Sequence, residues 1–317
     1  MDVTWGPLTP DDAPAWAEFA AAVAAADRSG DQVSVDLMTE RLANPLLDLE
    51  RGTLAARVGR EIVAVGLAPV RHAAEPVHLM DLWGGGVHPA HRRRGHGRRI
   101  IDWVLATAPE LHARKHPGKP LHLQLHVPDD NHGLAVLAER TGFVPTRVFQ
   151  DRRRDLTVPV PPPRPPGGVT IVPWAPELDD QAREVRNAAF RDHWGYTPHT
   201  AESWNRSITG TGVFRPAGSF LAVAGGHAVG CLLTHHRPAP TGAPEAWIQV
   251  VATVAEWRGR GVAGALVSHA LTAFRAQGYA TAGLSVDADN GTGAVSVYER
   301  AGFATFRTRT SYVHVRQ

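Results

Sequence analysis

Two short stretches of this chain follow the same pattern, RRRGHG at residues 92–97 and RGRGVA at residues 258–263. Each follows a segment with the alternation of a β-strand and precedes a segment with the apolar spacing of a helix. Glycine at such a turn lets backbone N–H groups come close to a ligand, and the start of the next helix carries a partial positive charge. Both stretches therefore predict a binding site for an anion such as a pyrophosphate.

The residues downstream of the two turns repeat as well. After the second turn come Asn290, Tyr298 and the stretch ERAGF at residues 299–303, and after the first come Asn131 and the stretch ERTGF at residues 139–143. Two copies of one structural unit are the simplest explanation, and a length of 317 residues fits two domains.

This order of motifs resembles the GNAT superfamily of acyl-CoA N-acyltransferases, in a tandem form that covers nearly the whole chain. The resemblance implies an α+β fold in each half, with a mixed, mostly antiparallel sheet flanked by helices. It also implies that each sheet is splayed between two strands, where the pantetheine arm of the cofactor inserts. We predict GNAT domains at residues 1–157 and 169–317, joined by a semi-rigid, Pro-rich linker at residues 158–168.

Hydrophobic periodicity places the turns between regular elements. For the second half it predicts strands at 169–173, 246–253 and 281–286, a hairpin at 220–234 around Gly225 and Gly226, helices at 179–190, 262–278 and 293–300, and a last strand at 303–315, at an edge or as a hairpin partner. The first half repeats this order with strands at 54–57, 62–67, 77–82 and 121–127.

The composition narrows the class of protein. A net charge of +2 argues against a nucleic-acid partner, and the arginine run at residues 152–154 is expected to be a solvated surface. The single cysteine, Cys231, lies in an apolar run and predicts core packing. Without a signal-peptide pattern or a long apolar segment, we expect a cytoplasmic monomer or homodimer with no membrane partner.

The resemblance implies acetyl-CoA as a co-substrate and no metal. In the second half the expected contacts are the end of the strand before the turn, the turn and one asparagine: Val251, Ala252, Thr253, Arg258, Gly259, Arg260, Gly261, Val262, Ala263 and Asn290. In the first half they are turn residues only: Arg92, Arg94, Gly95 and Gly97.

Acetyl transfer to an amine needs a base for the amine and an acid for the departing thiolate. Tyr298 stands where many GNAT enzymes carry the tyrosine that protonates the sulfur, and simple packing is the alternative. Glu245 is a candidate base at the start of the strand before the turn, rather far from it. His193, in the aromatic stretch before Trp204 that the resemblance places beside the acceptor, is a second candidate, and a surface histidine is its alternative.

The two halves are not equal. The first has Ala138 at the position of Tyr298 and no aromatic residue between residues 27 and 38. We therefore predict a catalytic second half and a degenerate first half, whose binding of CoA stays open. The predicted reaction is direct acetyl transfer to the primary amine of a small molecule, namely an amino sugar, an amino-acid derivative or an antibiotic. Two alternatives stay open: mycothiol-synthase-like acetylation of a cysteinyl amino sugar, and a non-catalytic acetyl-CoA sensor.

Overall fold

The chain forms two compact units. The computed structural model describes residues 2–29, 33–74, 77–238, 243–289, 291 and 293–316. Unit 1 contains Met1–Arg147 and Arg309–Gln317, and unit 2 contains Val148–Thr308. The units therefore divide at residue 147 rather than at the predicted residue 157, and the C-terminal residues belong to unit 1.

Helices and strands alternate along the chain. The helices are α1 (Ala13–Ala26), α2 (Val35–Leu42), α3 (Leu49–Gly52), α4 (His96–Lys115), α5 (His132–Arg140), α6 (Asp179–Ala189), α7 (Ala201–Trp204), α8 (Val262–Ala276) and α9 (Ala294–Arg300). The strands are β1 (Thr4–Gly6), β2 (Thr53–Val58), β3 (Glu61–Leu67), β4 (His78–Asp81), β5 (Gly86–Val87), β6 (Leu121–Pro128), β7 (Val144–Asp155), β8 (Val169–Pro173), β9 (Phe220–Ala224), β10 (His227–Pro238), β11 (Pro244–Thr253), β12 (Thr281–Asp287) and β13 (Ala304–Arg316).

Most predicted elements are confirmed, with boundaries that shift by a few residues. The linker at residues 158–168 contains neither helix nor strand, as expected for consecutive prolines. Among the described residues, no helix has the length and apolar content needed to cross a membrane.

Unit 1 contains two groups of paired strands. β1, β2, β3 and β5 form an antiparallel sheet in that order. β4 pairs in parallel with β6, from His78 opposite Leu121 to Asp81 opposite Gln124. β6 also pairs antiparallel with the last residues of β13. The end of the chain therefore completes the sheet of unit 1 and is not the hairpin partner of a second-half strand.

The sheet of unit 2 has the order β7, β12, β11, β10, β9, β8. Only β11 and β12 are parallel, so the sheet is mixed and mostly antiparallel, as predicted. Alternate side chains of β10 separate two cores: Leu232 packs with α8 and α9, whereas Cys231 and Leu233 pack with α6. Burial raises the pKa of the Cys231 thiol to about 12, in line with the predicted packing role.

The expectation that residues 152–154 are a solvated surface is wrong. Arg152 and Arg154 are 5% and 6% exposed, because β7 adds to the sheet of unit 2 beside β12. The guanidinium of Arg154 donates to the carbonyl of Ala301 and to that of Pro159 (2.8 Å). Arg152 donates to Gln150 Oε1 (2.7 Å) and to Glu299 Oε1 (3.1 Å). Both guanidinium groups are therefore paired with acceptors inside unit 2.

Candidate active site

The sheet of unit 2 opens between its two parallel strands. β11 and β12 pair from Glu245 opposite Thr281 to Ile248 opposite Leu284, and no later pair joins them in the described chain. Beyond this point β11 stays paired with β10, and β12 stays paired with β7. Beyond Ile248 and Leu284 the facing edges of β11 and β12 are no longer paired with each other, and an extended ligand could bind between them as a strand.

Gln249 lies at the point where the two strands separate. The register between β10 and β11 shifts at Leu233 and Thr234, which leaves Gln249 as the extra residue of a β-bulge. A bulge disrupts the ladder locally, changes the direction of neighbouring groups and is frequent beside active sites. The side chain of Gln249 is exposed, so a polar side chain is accessible to a ligand where the two strands separate.

The turn between β11 and α8 presents a continuous row of backbone donors. In the described chain the N–H groups of residues 259–264 make no backbone hydrogen bond, and the first one of the helix runs from Ala265 to the Gly261 carbonyl (3.0 Å). Gly261 has φ of +90°, a conformation that costs glycine little, and a Cβ there would meet no atom within 4 Å. Unpaired N–H groups at a helix start form an anion site.

The two arginines of this turn have different surroundings. Arg258 is directed back onto the protein, where its Nη2 donates to the Ala189 carbonyl (2.7 Å) and its Nε to the Thr253 carbonyl (3.3 Å). Arg260 is exposed and lies 5.1 Å above the ring of Trp257. Arg258 therefore positions the turn, whereas Arg260 and the backbone amides present positive charge to a ligand.

The remaining expected cofactor contacts are residues 251–253 of β11 and Asn290, and they differ in burial and in which groups face the opening. Val251 and Thr253 lie on β11 beyond its separation from β12 and are half-buried. The side chain of Ala252 packs with α6, so only its backbone faces the opening. Asn290 lies outside the described residues. Its counterpart in unit 1, Asn131, caps α5 by accepting the N–H of the third residue onward.

Tyr298 lies on α9 between the anion turn and β12. It shares a buried cluster with Val262, the first residue of α8, and with Val286 near the end of β12. Its ring meets that of Phe303 edge-on at 6.1 Å, and its hydroxyl makes no hydrogen bond to a described residue. Burial raises the pKa of Tyr298 above its ordinary value, so the hydroxyl stays protonated at neutral pH.

Glu245 is buried at the start of β11, where β11 and β12 are still paired. Its Oε1 accepts from Arg153 Nε (2.5 Å) and from the Thr281 hydroxyl (3.2 Å). Glu245 lies four residues before Gln249, about 13 Å along the strand. The structure therefore does not bring this carboxylate to the point where the strands separate.

His193 lies in the loop after α6, at the open end of the strand pair. The neighbouring Trp194 is 6.3 Å from Phe149, which is paired with the last residue of β12. His193 Nδ1 lies 3.0 Å from the Trp194 carbonyl. A carbonyl only accepts, so Nδ1 carries the ring proton and Nε2 keeps its lone pair.

The expected place of Trp204 beside the acceptor is wrong. Trp204 is 1% exposed and belongs to the core under α6. Its indole N–H donates to Asp179 (2.9 Å), and the indole of Trp174 donates to the same carboxylate (3.1 Å). Asp179, at the start of α6, thus orients the buried Trp204 and the partly buried Trp174. The loop at residues 190–196 remains as the aromatic part near the opening.

Unit 1 keeps the anion turn with altered side chains. The N–H groups of residues 93–98 make no backbone hydrogen bond in the described chain. Gly95 has φ of +86°, whereas Arg93 adopts φ of +63° at the position of Gly259. Arg92 forms a two-bond ion pair with Asp27 (2.7 and 2.9 Å). The positive charge that Arg92 brings to this turn is therefore neutralised within unit 1.

The rest of the unit 1 site lacks the features of unit 2. Arg94 is exposed, and Gly97 packs against Leu137 in the first turn of α4, where a Cβ would lie 3.2 Å from that side chain. Ala138, at the position of Tyr298, is completely buried. Met38 is buried as well, so the described part of the segment at residues 27–38 contributes to the core of unit 1.

Sequence reasoning missed the contribution of β7 to unit 2. Phe149 and Arg153 precede the Pro-rich linker, yet they contact Trp194 and Glu245. No local pattern identifies the partner of such a strand, since pairing is decided by distant residues. The only available signal is that each half ends in a long segment able to form a strand.

Unit 2 thus combines a mixed sheet that opens between two parallel strands with a row of unpaired amides at the start of the next helix. The sequence profile of the Acetyltransferase (GNAT) family matches residues 20–143 and 180–303. The chain therefore belongs to the GNAT family, with two GNAT domains in tandem. It is an acyltransferase that transfers an acetyl group to an amine.

The chain is similar to mycothiol acetyltransferases from several organisms. It is 37% identical to that of Streptomyces avermitilis over 233 residues, 71% of this chain and 69% of the relative. It is 32% identical to that of Parafrankia sp. over 286 residues, 82% of each chain. Each alignment is longer than either half of the chain, so each one includes residues of both halves.

Solved structures share the fold over nearly the whole chain. A GCN5-related N-acetyltransferase from Sphaerobacter thermophilus superposes with a TM-score of 0.78 at 27% identity, over 99% of this chain and 95% of that one. A tandem GNAT protein from the clavulanic acid biosynthesis pathway gives a TM-score of 0.71 at 21% identity, over 99% and 98%. The second likeness shows the fold alone.

Proposed function

We propose that unit 2 is the catalytic unit and that it transfers the acetyl group of acetyl-CoA to the primary amine of a small molecule. The observation that supports this proposal is that three features needed for acetyl transfer occur together in one unit. The unpaired amides of residues 259–264, the strand separation after Ile248 and the unbonded hydroxyl of Tyr298 all occur in unit 2. Unit 1 has the amides without the tyrosine.

Acetyl-CoA fits the groups that unit 2 offers. Its pyrophosphate matches the amides and the exposed Arg260 at the turn. Its pantetheine arm is extended and carries amide groups, which match the space between β11 and β12 beyond Ile248 and Leu284, where these strands are not paired with each other. Bound in this way, it supplies a thioester carbonyl as the electrophile near Gln249.

The acid of the proposed reaction is Tyr298. When the amine nitrogen attacks the thioester carbon, the carbon–sulfur bond breaks and the departing thiolate needs a proton. Tyr298 stays protonated at neutral pH because burial raises its pKa, and its hydroxyl has no competing hydrogen bond in the described chain. It is therefore a proton donor whose position is fixed by packing.

Two side chains are candidates for the base that removes the amine proton. His193 keeps a lone pair on Nε2 and lies at the open end of the strand pair. Glu245 is paired with Arg153, and its distance from Gln249 means that it acts only through intervening water. The stability and activity of matched variants separate these candidates, as set out below.

The acceptor is proposed as a small amine that binds beside the aromatic loop at residues 190–196, whose Trp194 ring lies 6.3 Å from that of Phe149. The mycothiol acetyltransferases, at 32% to 37% identity, favour a second and narrower candidate. In that case the acceptor is a cysteinyl amino sugar, as in mycothiol-synthase-like enzymes.

The test is release of free CoA thiol when the intact protein is mixed with acetyl-CoA and a panel of amines. The panel contains a cysteinyl amino sugar, an unsubstituted amino sugar and an amino-acid amide. We expect thiol release above the hydrolysis rate with at least one amine, and preference for the first identifies the narrower acceptor. Thermal stabilisation by acetyl-CoA without release on any amine would support a sensor and contradict the proposal.

A further inference from the structure

Three potential metal ligands of unit 1 lie together on the surface beside the turn at residues 92–97. Glu61 begins β3, and His88 and His91 flank the 3-10 turn that precedes this stretch. Each offers a ligand atom within 4.8 Å of the other two, and Glu61 Oε1 is 3.9 Å from His88 Nε2. None of these side chains takes part in the proposed acetyl transfer, which is assigned to unit 2.

The backbone holds these three residues in place. Side chains three residues apart project from the same side of a 3-10 turn, and the N–H of His91 donates to the His88 carbonyl (2.8 Å) to close it. The N–H of His88 donates to the carbonyl of Val63 (2.9 Å), two residues after Glu61. The turn is thereby attached to β3, so the cluster does not depend on side-chain contacts alone.

His91 has an unmet hydrogen-bonding requirement. Its Nδ1 is buried without a partner, and neither ring nitrogen bonds to any residue in the described part of the chain. A buried polar nitrogen without a partner costs about 1–3 kcal/mol. Because no hydrogen bond fixes the ring, His91 is free to turn either nitrogen toward a bound ion.

We propose that Glu61, His88 and His91 bind a divalent metal ion of the zinc class, with water as the fourth ligand. Two imidazoles and one carboxylate are a ligand set that Zn²⁺ accepts in tetrahedral geometry. Ligand atoms on tetrahedral zinc are about 3.3 Å apart, from bond lengths of about 2.0–2.1 Å. The distance between Glu61 Oε1 and His88 Nε2 therefore has to decrease by about 0.6 Å. Rotation of the exposed glutamate side chain is enough for this change.

Binding at His88 changes one local hydrogen bond. His88 Nδ1 now accepts the N–H of Ala90 at 3.3 Å, so the ring proton is on Nε2. Coordination through Nε2 places the proton on Nδ1, and the exposed Ala90 amide then bonds to water. The ring loses no net proton in this step, and the bond it gives up is a long one.

The surrounding charge makes the site a weak one. Arg94 and Arg99 lie near His96, whose ring is 6.5 Å from that of His91. These two guanidinium groups repel a metal ion, whereas Glu61 attracts it. We therefore expect micromolar rather than nanomolar affinity, and a site that fixes the turn of unit 1 rather than one that performs chemistry.

Unit 2 provides an internal control. The repeat that aligns the two turns also aligns the three proposed ligands with three residues of unit 2, which are His227, Val254 and Trp257. That set contains a single metal-binding side chain. The ligand set is therefore specific to unit 1, and His227 is a matched position for substitution.

The experiment is titration of the full, tag-free, chelator-treated protein with Co²⁺ at neutral pH, followed by visible absorption and then by displacement with Zn²⁺. We expect about one equivalent of Co²⁺ to give the intense bands of four-coordinate cobalt. His88→Ala and His91→Ala should abolish these bands. Glu61→Gln should weaken binding by more than about tenfold, because even groups that only support a ligand contribute about that much.

The controls separate this site from the other histidines of the chain. His227→Ala and His78→Gln should leave the bands unchanged, and melting temperatures without metal show that each variant is folded. If a histidine variant fails to fold, Glu61→Gln, at an exposed position, still provides the test. Absence of four-coordinate bands in the intact protein, or their survival in His88→Ala and His91→Ala, would overturn the proposal.

Discussion

Ile248 and Leu284 form the last backbone pair between β11 and β12. The next residue of β11, Gln249, is the extra residue of a β-bulge. The distortion of β11 therefore lies where the two strands begin to separate. The turn at residues 258–263 lies at the other end of β11, after Thr253. A ligand that extends from this turn to the point of strand separation would have its anion at the turn and its reactive end at Gln249.

A carboxylate at the start of α8 should compete with the phosphates of acetyl-CoA. Gly264 belongs to the row of unbonded amides, and a Cβ there meets no atom within 4 Å. We expect Gly264→Asp to weaken acetyl-CoA binding to unit 2 by at least about tenfold, because the carboxylate occupies the anion site and repels phosphate. Gly264→Ala is the matched control and should bind normally. Equal affinity of the two variants by calorimetry would move the cofactor away from this turn.

Removal of the Tyr298 hydroxyl should affect turnover and not stability. The hydroxyl has no hydrogen-bond partner in the described chain, so Tyr298→Phe removes no bond there. As the general acid it should contribute a factor of roughly 10² in kcat with little change in the KM for acetyl-CoA. Tyr279→Phe, also in unit 2, is the control. A Tyr298→Phe variant with nearly full turnover, where chemistry limits the rate, would assign Tyr298 to packing.

The ion pair of Glu245 and Arg153 predicts different effects for its two members. Arg153→Met leaves a buried carboxylate without its partner and should lower the free energy of unfolding by about 2–3 kcal/mol, less than for a fully buried pair because Arg153 is partly exposed. Adding Glu245→Gln should restore at least half of this loss. Urea unfolding of the single and double variants measures both effects.

The same substitution decides between the candidate bases. If Glu245 is structural, Glu245→Gln alone should keep most of the turnover, and His193→Gln should lose roughly 10²-fold. The opposite pattern, with turnover lost in folded Glu245→Gln and kept in His193→Gln, would assign the base to Glu245 acting through water.

A chain of neutral histidines should make unit 1 sensitive to acid. The N–H of Arg71 donates to His78 Nε2 (3.3 Å), so the proton of His78 is on Nδ1 and is donated to His112 Nδ1 (2.9 Å). His112 then donates from Nε2 to the Lys119 carbonyl (2.7 Å). Burial, and then the charges of His116 and His112, lower the pKa of His78 from 6.5 to about 3.

The sign of the effect follows from linkage. Between pH 6.5 and about 3 the unfolded chain binds a proton at His78 that the folded chain does not. The stabilisation is therefore complete above pH 6.5 and decreases as the pH falls, by up to about 1.4 kcal/mol per pH unit. His78→Gln, which can accept and donate in the same places, should reduce this slope in urea unfolding of unit 1. An unchanged slope, with exposed His227→Gln as the control, would contradict the assignment.

Sequence and structure agree where local residues decide the conformation. The turn at residues 258–263 and its copy at 92–97 were predictable because glycine positions, strand alternation and helix spacing are local signals. The α+β class follows from the resemblance to the GNAT superfamily. The difference between Tyr298 and Ala138 at the same position follows from comparison of the two repeats.

The remaining features depend on contacts between distant residues. Arg153 reaches Glu245 because β7 pairs with β12, more than 100 residues away in the chain, as Gly283 opposite Arg153 shows. The separation of β11 from β12 likewise depends on which partner each strand keeps. For the same reason the sequence did not reveal that Glu61 lies beside His88 and His91.

The central claim is that only unit 2 catalyses acetyl transfer, and a matched pair of glycine variants tests it most directly. Gly95 and Gly261 hold the same position in the two turns, with φ of +86° and +90°, and a Cβ at either meets no atom within 4 Å. Gly95→Asp and Gly261→Asp therefore impose the same backbone strain and the same negative charge on unit 1 and unit 2. The measurement is turnover of acetyl-CoA with an amine that the intact protein acetylates. Our account predicts activity close to that of the intact protein for Gly95→Asp and none for Gly261→Asp, and the reverse result would contradict it.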